Sequence, residues 1–246
     1  MSFDLAIIGG TGLYQFPGLE NIERTTVETP FGATSAPIVS GTFAGRRIAF
    51  LARHGEGHNV PPHRVNYRAN VWALHYAGAR RVIGVNAVGG IRDDMGPRVV
   101  AVPDQIIDYT HGRFTSFCDV DGAEVKHVDF SEPYTASLRR DILAAAARAG
   151  IAVVDGGCYG ATQGPRLETR AEIARMRRDG SDLVGMTGMP EAALARELEL
   201  DYACLALVAN WAAGCGDEEE ISLPEIFENL RVATADVPTI VAAMLA

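Results

Sequence analysis

The stretch Leu5–Leu13, LAIIGGTGL, begins with an uninterrupted apolar run and ends in a glycine-rich turn. Because the run is apolar throughout rather than alternating, it predicts a strand buried on both faces, as in a parallel sheet covered by helices. The turn places Thr11 between glycines, so one hydroxyl and several backbone N–H groups could face an anion there. A turn that needs glycine only for its backbone conformation is the simpler alternative.

Similar apolar runs recur along the chain, and helical patterns separate them. This alternation predicts an α/β fold: a single domain over residues 1–246 with a mixed, largely parallel, twisted central sheet flanked by helices. The predicted strands are Leu5–Gly9, Ala36–Thr42, Arg47–Ala52, Arg81–Ala87, Val99–Ile107, Val153–Ala161, Asp182–Met186 and Tyr202–Asn210. The predicted helices are Val65–Tyr76, a helix from Ser131 and Pro133 to Gly150, Glu168–Arg178, Pro190–Leu200, and a last helix that begins with the capping box Ser222–Glu225 and is interrupted by Pro238.

The composition narrows the class of protein. The 246 residues are 48% hydrophobic, which allows a large core, and their formal net charge is −9. This charge argues against a binder of nucleic acids or membrane surfaces, because phosphate groups need clustered Lys and Arg. The four cysteines show no C-x-x-C spacing, and scattered thiols suit a reducing compartment. With no evident signal peptide or membrane span, we expect a cytoplasmic protein.

A later predicted strand ends in Leu51–Asn59, LARHGEGHN. Ligands of α/β sheets bind outside the carboxyl ends of strands, so Thr11 and the pair Arg53 and His54 are expected to converge on one oxyanion. An Arg-His-Gly motif is also typical of histidine phosphatases, but there it follows the first strand. In this chain Gly-Gly-Thr-Gly occupies that position, which argues against a phosphatase. The dinucleotide motif G-x-G-x-x-G fails as well, because Gln15 stands at its third glycine.

Polar groups also follow the other predicted strands, in Val85–Gly90, Ala161–Thr169, Val184–Glu191 and Val208–Asn210. Six such strand ends in register predict one site with several subsites. We expect no metal, because the only clustered candidates match no ligand spacing that we can name; they are His54, Glu56, His58 and His63. The acidic run at 216–220 is expected to be a solvated loop.

The ordered motifs IIGGTGL, LARHG, VNYRANVWAL, NAVGG, QGPRLET and GMTGMPE resemble those of the trimeric purine nucleoside phosphorylase and methylthioadenosine phosphorylase family. The resemblance extends from about residue 5 to residue 230, in family order. It implies cleavage of a purine nucleoside by inorganic phosphate, which is a co-substrate, with no metal or organic cofactor. It also implies a homotrimer in which His127 reaches the site of a neighbouring subunit.

The resemblance assigns roles to particular positions. The implied phosphate site consists of Thr11, Arg53, His54, the backbone at Ala87, and Thr187. Phosphate held against the sugar would stabilise an oxocarbenium-like transition state and then capture it. The implied catalytic residues are Asn210, His54 and Thr187. The implied nucleoside site consists of Asn86, Val88, Gly89, Leu167, Glu168, Met186, Asn210, Leu223 and His127.

Three of these positions bear on the choice of nucleoside. Asn210 stands where enzymes for 6-aminopurines carry Asp-x-Asp, and Glu168 stands where enzymes for 6-oxopurines carry a glutamate. A carboxylate accepts a hydrogen bond from N1–H of hypoxanthine, whereas N1 of adenine is itself an acceptor. Leu223 replaces a histidine found in enzymes for 5′-hydroxyl nucleosides, and it offers an apolar contact to a methylthio group. The simpler alternatives are an ordinary strand-ending asparagine and a leucine that only anchors its helix.

We therefore expect phosphorolysis of 5′-methylthioinosine to hypoxanthine and 5-methylthioribose 1-phosphate. The nearest alternative is a phosphorylase for the 6-oxopurine nucleosides inosine and guanosine. Further alternatives are a methylthioadenosine phosphorylase, a histidine phosphatase that uses His54, and a purine-binding protein without catalysis, because a fold alone never fixes an activity.

Overall fold

The computed structural model of the protein describes residues 2–120, 122–216 and 222–246, so most of the expected acidic loop, 217–220, lies outside the described residues. Eleven strands of the described residues form one sheet. They are β1 (Leu5–Gly9), β2 (Glu20–Thr25), β3 (Ile38–Phe43), β4 (Arg46–Ala52), β5 (Arg81–Gly90), β6 (Val100–Val102), β7 (Gln105–Asp108), β8 (Val153–Asp155), β9 (Cys158–Ala161), β10 (Leu183–Gly185) and β11 (Asp201–Trp211). The α-helices of the same residues are α1 (Tyr67–Tyr76), α2 (Ala136–Ala149), α3 (Arg170–Asp179), α4 (Gly188–Glu197), α5 (Leu223–Thr234) and α6 (Asp236–Leu245).

The sheet order leaves a crevice at its centre. Strand β1 pairs in parallel with β4 and β5, and it stops at Gly9, opposite the last residue of β4. Strands β5 and β11 pair in parallel over their whole lengths and continue well beyond that point. Strand β10 pairs with this continuation in the antiparallel sense, and β9 runs parallel to β10. Strands β9 and β10 therefore enter the crevice from the direction opposite to β5 and β11.

The predicted α/β fold with a mixed, largely parallel sheet and flanking helices is confirmed. All five residues of β1 are buried, and successive side chains belong to different faces. Ala6 and Ile8 pack in one apolar cluster with residues of α1 and α4. Leu5 and Ile7 pack in a second cluster with residues of α2, α5 and α6. No helix among the described residues is long and apolar enough to cross a membrane. The assignment of all residues 1–246 to one domain stays a prediction.

Two predicted strands are each divided in the structure. The predicted strand Val99–Ile107 breaks into β6 and β7 at Pro103, which has no N–H to donate to a ladder. The predicted strand Val153–Ala161 breaks into β8 and β9 at Gly156 and Gly157, which both have positive φ. Strand β2 has no counterpart in the prediction, because it lies at the sheet edge with all six residues exposed and therefore lacks an apolar pattern.

Helix starts also differ from the prediction. Helix α2 begins after Thr135 rather than at Ser131 or Pro133. Ser222 precedes α5 but makes no capping hydrogen bond with its side chain, so the predicted capping box is absent. A complete capping box instead opens α3, between Thr169 and Glu172. Helix α5 ends at Thr234, four residues before Pro238, where the proline ring would meet the helix carbonyl.

The two caps give a matched test of the helix starts. Thr169→Ala removes a side-chain acceptor from the amide of Glu172 and should lower the free energy of unfolding by about 1 kcal/mol. Ser222→Ala, at a cap without such a bond, should change it much less. Urea denaturation of both variants measures the difference, and equal losses would show that the Thr169 cap does not stabilise α3.

Candidate active site

A cavity of about 500 Å³ occupies the crevice where β1 and β4 stop and β5 and β11 continue. It brings together predicted site residues from six separate strand ends and from α5. Those that line it are Thr11, Arg53, His54, Ala87, Val88, Gly89, Leu167, Glu168, Met186, Thr187, Asn210 and Leu223. The expected convergence of Thr11 with Arg53 and His54 is therefore present in the structure.

Two predicted site residues do not line this cavity. Asn86 is buried beneath it, where its amide Nδ2 donates to Thr187 Oγ1 at 2.8 Å. The Asn86 side chain thus contacts Thr187, which lines the cavity, and the predicted contact of the Asn86 backbone with substrate stays a prediction. His127 is exposed and lies outside the cavity of its own chain, so its role at a neighbouring subunit stays a prediction.

Arg53 is wholly buried and forms a bidentate ion pair with Glu191, which the sequence analysis missed. Its Nε donates to Glu191 Oε2 at 2.8 Å, and its Nη2 donates to Oε1 at 2.7 Å. Burial alone would lower the pKa of Arg53, but the Glu191 carboxylate outweighs it and raises the pKa above the ordinary value. Arg53 is thus a permanent cation whose charge is already balanced. The two residues are 138 positions apart, and Glu191 had no predicted role, although it ends the GMTGMPE motif and lies in a predicted helix.

The glycine turn after β1 approaches this guanidinium closely. A Cβ atom on Gly10 would lie 2.8 Å from Arg53 Nη1 and 2.6 Å from the Val85 carbonyl oxygen. Arg53 Nη1 itself donates to that carbonyl at 2.8 Å. Glycine is therefore required at position 10 by close packing, because the turn rests directly on the arginine and the backbone of β5.

His54 is a neutral imidazole in this site. Burial, and then the charge of Arg53, lower its pKa to about 4. Its Nδ1 lies 2.8 Å from the carbonyl oxygen of Val60, which can only accept, so Nδ1 carries the hydrogen and donates. The other ring nitrogen, Nε2, is consequently a lone-pair acceptor. His54 lines the cavity as an acceptor of a hydrogen bond, rather than as a second cation.

Thr187 is held so that its hydroxyl can donate. It precedes α4, and its Oγ1 accepts the hydrogen bond from Asn86, which leaves the hydroxyl hydrogen available. Its backbone N–H donates to Tyr159 Oη at 3.5 Å. Thr187 is therefore suited to donate a hydrogen bond to an anion in the cavity.

Two polar groups occupy a second part of the cavity. Glu168 lies before the N-cap of α3 rather than inside the helix, and its Oε1 accepts from Thr162 Oγ1 at 2.6 Å. Asn210 follows a bulge in β11, where the register with β5 shifts after Val208. Because of this shift, the consecutive residues Ala209 and Asn210 both line the cavity. One N–H of the Asn210 amide donates to the Trp211 carbonyl at 2.6 Å, and the second remains available.

Trp211 packs behind the site and does not line it. Its ring lies against the glycines at 96 and 216 and joins a small apolar cluster with Ile173 and Met176. The tryptophan therefore supports the end of β11 rather than contacting a ligand.

The outer part of the cavity is apolar and partly exposed. Leu223 and Phe227 keep 61% and 54% of their surface exposed, so Leu223 is not merely a buried helix anchor. The sequence analysis missed three further side chains of α5 that line the cavity with Leu223, namely Ile226, Phe227 and Leu230. Their spacing of i+3, i+4 and i+7 from Leu223 places them on one helical face and could have revealed them. Leu167 completes this surface, which we call the apolar rim: Leu167, Leu223, Ile226, Phe227 and Leu230.

Comparison with known proteins assigns the family. A family model described as the phosphorylase superfamily matches residues 4–246. The chain belongs to the phosphorylase superfamily. It is 60% identical over 240 residues to a probable S-methyl-5′-thioinosine phosphorylase of Xanthomonas campestris pv. campestris, covering 98% of this chain and 96% of that one.

Other relatives are less similar in sequence and also match over nearly the whole chain. The chain is 43% identical over 246 residues to a 6-oxopurine nucleoside phosphorylase of Pyrococcus furiosus, covering 98% of this chain and 91% of that one. Among solved structures, a methylthioadenosine phosphorylase from Schistosoma mansoni in complex with adenine superimposes with a TM-score of 0.93. It is 32% identical, and the match covers 99% of this chain and 91% of that one. The family resemblance drawn from the sequence motifs is thus confirmed.

Across residues 2–120, 122–216 and 222–246, no group of three or more His, Cys, Asp or Glu side chains could hold a metal ion. The donors that line the cavity are hydroxyl, amide, guanidinium and backbone N–H groups instead. Such donors suit an oxyanion and a heterocyclic base.

The state of His54 can be tested by NMR. With its pKa at about 4, the imidazole should stay in the neutral Nδ1–H form from neutral pH down to about pH 5. Nitrogen-15 spectra of the labelled protein report the tautomer and the titration, and His54→Gln identifies the signal. A titration midpoint near the ordinary histidine value, or an Nε2–H tautomer, would contradict the assignment.

Proposed function

We propose that the protein catalyses the phosphorolysis of S-methyl-5′-thioinosine, giving hypoxanthine and 5-methylthioribose 1-phosphate. The proposal is based on a single cavity whose three parts differ in chemistry. Its inner part offers donors for a phosphate, its middle part pairs a carboxylate with an amide, and its outer part is the apolar rim. The names of the relatives at 55–60% identity, all probable S-methyl-5′-thioinosine phosphorylases, support the same substrate.

Phosphate is proposed to bind in the inner part, between the Thr11 turn, the Ala87 backbone and the Thr187 hydroxyl. Arg53 and His54 complete this part, and their state limits how they can act. The charge of Arg53 is balanced by that of Glu191. Arg53 would therefore attract phosphate less by its net charge than by the direction of its N–H groups. Neutral His54 would accept a hydrogen bond from a protonated oxygen of the phosphate.

The reaction then needs no strong nucleophile from the protein. As the bond between the sugar and the purine breaks, positive charge grows on the sugar and negative charge on the base. The bound phosphate stabilises the sugar cation by proximity and then forms the new bond at C1′. Asn210 is proposed to donate its free N–H to the departing purine, where the negative charge accumulates. Met186 lines the cavity between these two parts and is proposed to pack under the ribose.

The base is proposed to be recognised by Glu168 and Asn210. The Glu168 carboxylate can accept from N1–H of hypoxanthine, and the amide of Asn210 can donate to O6. With adenine, both contacts are lost, because N1 is an acceptor and the 6-amino group is a donor. A polar site of this kind can discriminate strongly, since the wrong base leaves its groups unpaired.

The apolar rim is proposed to bind the methylthio group. It presents leucine, isoleucine and phenylalanine side chains, and none of them can pair with a 5′-hydroxyl. This rim favours the methylthio substrate over a second candidate, a 6-oxopurine nucleoside phosphorylase acting on inosine or guanosine. The second candidate is supported by the 6-oxopurine nucleoside phosphorylases among the relatives.

We also propose a homotrimer, with His127 of one subunit completing the rim of the next. His127 is exposed, and it lies on a segment with two exposed apolar residues, Val120 and Val125. No metal or organic cofactor is proposed, and the composition supports a cytoplasmic location without nucleic-acid or membrane partners.

A single set of assays tests the activity. The protein is incubated with methylthioinosine, methylthioadenosine, inosine or a phosphomonoester, each with and without phosphate, and base release is followed by chromatography. We expect phosphate-dependent release that is fastest with methylthioinosine. Fastest turnover of methylthioadenosine, or release without phosphate, would refute the proposal, and cleavage of the phosphomonoester alone would favour a phosphatase.

The role of the rim is tested by Leu223→His. This change supplies a partner for a 5′-hydroxyl and removes an apolar contact, so kcat/KM for inosine relative to methylthioinosine should rise by roughly tenfold or more. The control is Ile22→His on the exposed strand β2, where a similarly exposed apolar residue lies outside the cavity. If Leu223→His leaves the ratio of the two kcat/KM values unchanged, the apolar rim does not select the methylthio group.

A further inference from the structure

A group of polar side chains lies beneath the cavity without lining it. Glu191, Tyr159 and Tyr202 are buried to within 2% of full burial, and Asn86 is buried with them. Burying a carboxylate and hydroxyl groups is unfavourable unless each is paired. The pairing therefore indicates what these residues support.

The pairing converges on two residues of the proposed phosphate site. Glu191 binds Arg53 through both of its oxygens, and Tyr202 Oη donates to Glu191 Oε1 at 2.8 Å. Asn86 donates to Thr187 Oγ1 at 2.8 Å, while its Oδ1 lies 3.5 Å from Arg53 Nη2. Glu191 thus restricts the orientation of Arg53, and Asn86 restricts that of Thr187.

Two glycines in the central strands make room for these hydroxyls. A Cβ atom on Gly84 of β5 would lie 2.2 Å from Tyr202 Oη and 2.8 Å from Glu191 Oε1. A Cβ atom on Gly185 of β10 would lie 2.1 Å from Tyr159 Oη. Glycine weakens a strand interior, so its presence here indicates that the approach of the tyrosines matters more than strand propensity.

The bidentate contact also fixes the orientation of the guanidinium, whose Nη1 donates to the Val85 carbonyl. Nε and Nη2 point to Glu191, and Nη1 lies beside the turn at Gly10. A rotation of the guanidinium would break both bonds to Glu191, so the orientation of Nη1 depends on this carboxylate. Tyr202 in turn donates to Oε1, the oxygen of Glu191 that also accepts from Arg53 Nη2.

We propose that Glu191 and Tyr202 are positioning residues for phosphate, acting through Arg53. They do not touch the substrate; they hold the guanidinium in the orientation that presents Nη1 to the phosphate. The inference rests on the proposed use of phosphate, but it does not depend on which nucleoside is cleaved.

The test is Tyr202→Phe, with Tyr134→Phe as a matched control. Tyr134 is equally buried, and its ring stacks near that of Tyr202 with centroids 6.1 Å apart. The Tyr134 hydroxyl finds no hydrogen-bond partner among the described residues, so its removal leaves the group intact. Both variants lose one buried hydroxyl, and only one of them loses a contact to Glu191.

We expect Tyr202→Phe to weaken binding of inorganic phosphate by roughly three- to tenfold, less than the full loss of a hydrogen bond to a charged group, because the effect reaches phosphate only through Arg53. Calorimetry without nucleoside measures this binding, so failure to cleave methylthioinosine would leave the test intact. In kinetics, KM for phosphate should rise while KM for the nucleoside stays constant, and Tyr134→Phe should change neither.

Wild-type phosphate affinity in Tyr202→Phe, an equal loss in Tyr134→Phe, or a parallel rise of both KM values would overturn the inference. If Tyr202→Phe fails to fold, Glu191→Asp replaces it as the test. This change keeps the charge but withdraws the carboxylate by one methylene, and it should weaken phosphate binding at least as much. Unchanged binding in Glu191→Asp would overturn the inference equally.

Discussion

The buried ion pair between Arg53 and Glu191 is the constraint around which this structure is arranged. A charge without contact to water must be paired, and removing one partner of such a pair typically costs about 3–5 kcal/mol. The pair joins the end of β4 to α4, and its hydrogen bonds extend to β5 and to Tyr202 of β11. These elements meet only in the folded chain, so the ion pair and the crevice form together.

The ion pair also explains the modest electrostatics of the inner cavity. A site with an unpaired arginine and a charged histidine would bind a phosphate dianion tightly and release a sugar phosphate slowly. Here Arg53 is compensated by Glu191 and His54 is neutral. Binding then depends on the number and direction of hydrogen bonds, which favours a well-placed anion over any anion.

The parts of the fold that the sequence predicts are those determined by local pattern. Strand β1 is apolar at every position and its bounds were predicted correctly, whereas β2 is polar and exposed and gave no signal. Residues of the cavity were predicted where a motif follows a strand. Glu191 and Phe227 were missed for different reasons: Glu191 acts through a residue 138 positions away, and Phe227 faces the cavity only because α5 packs against β11. The hydrogen bond from Asn86 to Thr187 was likewise not indicated, because it joins residues 101 positions apart.

The partial exposure of the apolar rim has a consequence for the temperature dependence of binding. Leu167, Leu223 and Phe227 all keep more than a third of their surface in contact with water in this chain. A ligand that covers them removes apolar surface from water, and such burial produces a negative change in heat capacity. When the outer end of the nucleoside covers the apolar rim, the binding free energy would therefore vary non-linearly with temperature. The hydrogen bonds of the inner cavity would contribute to the binding enthalpy instead.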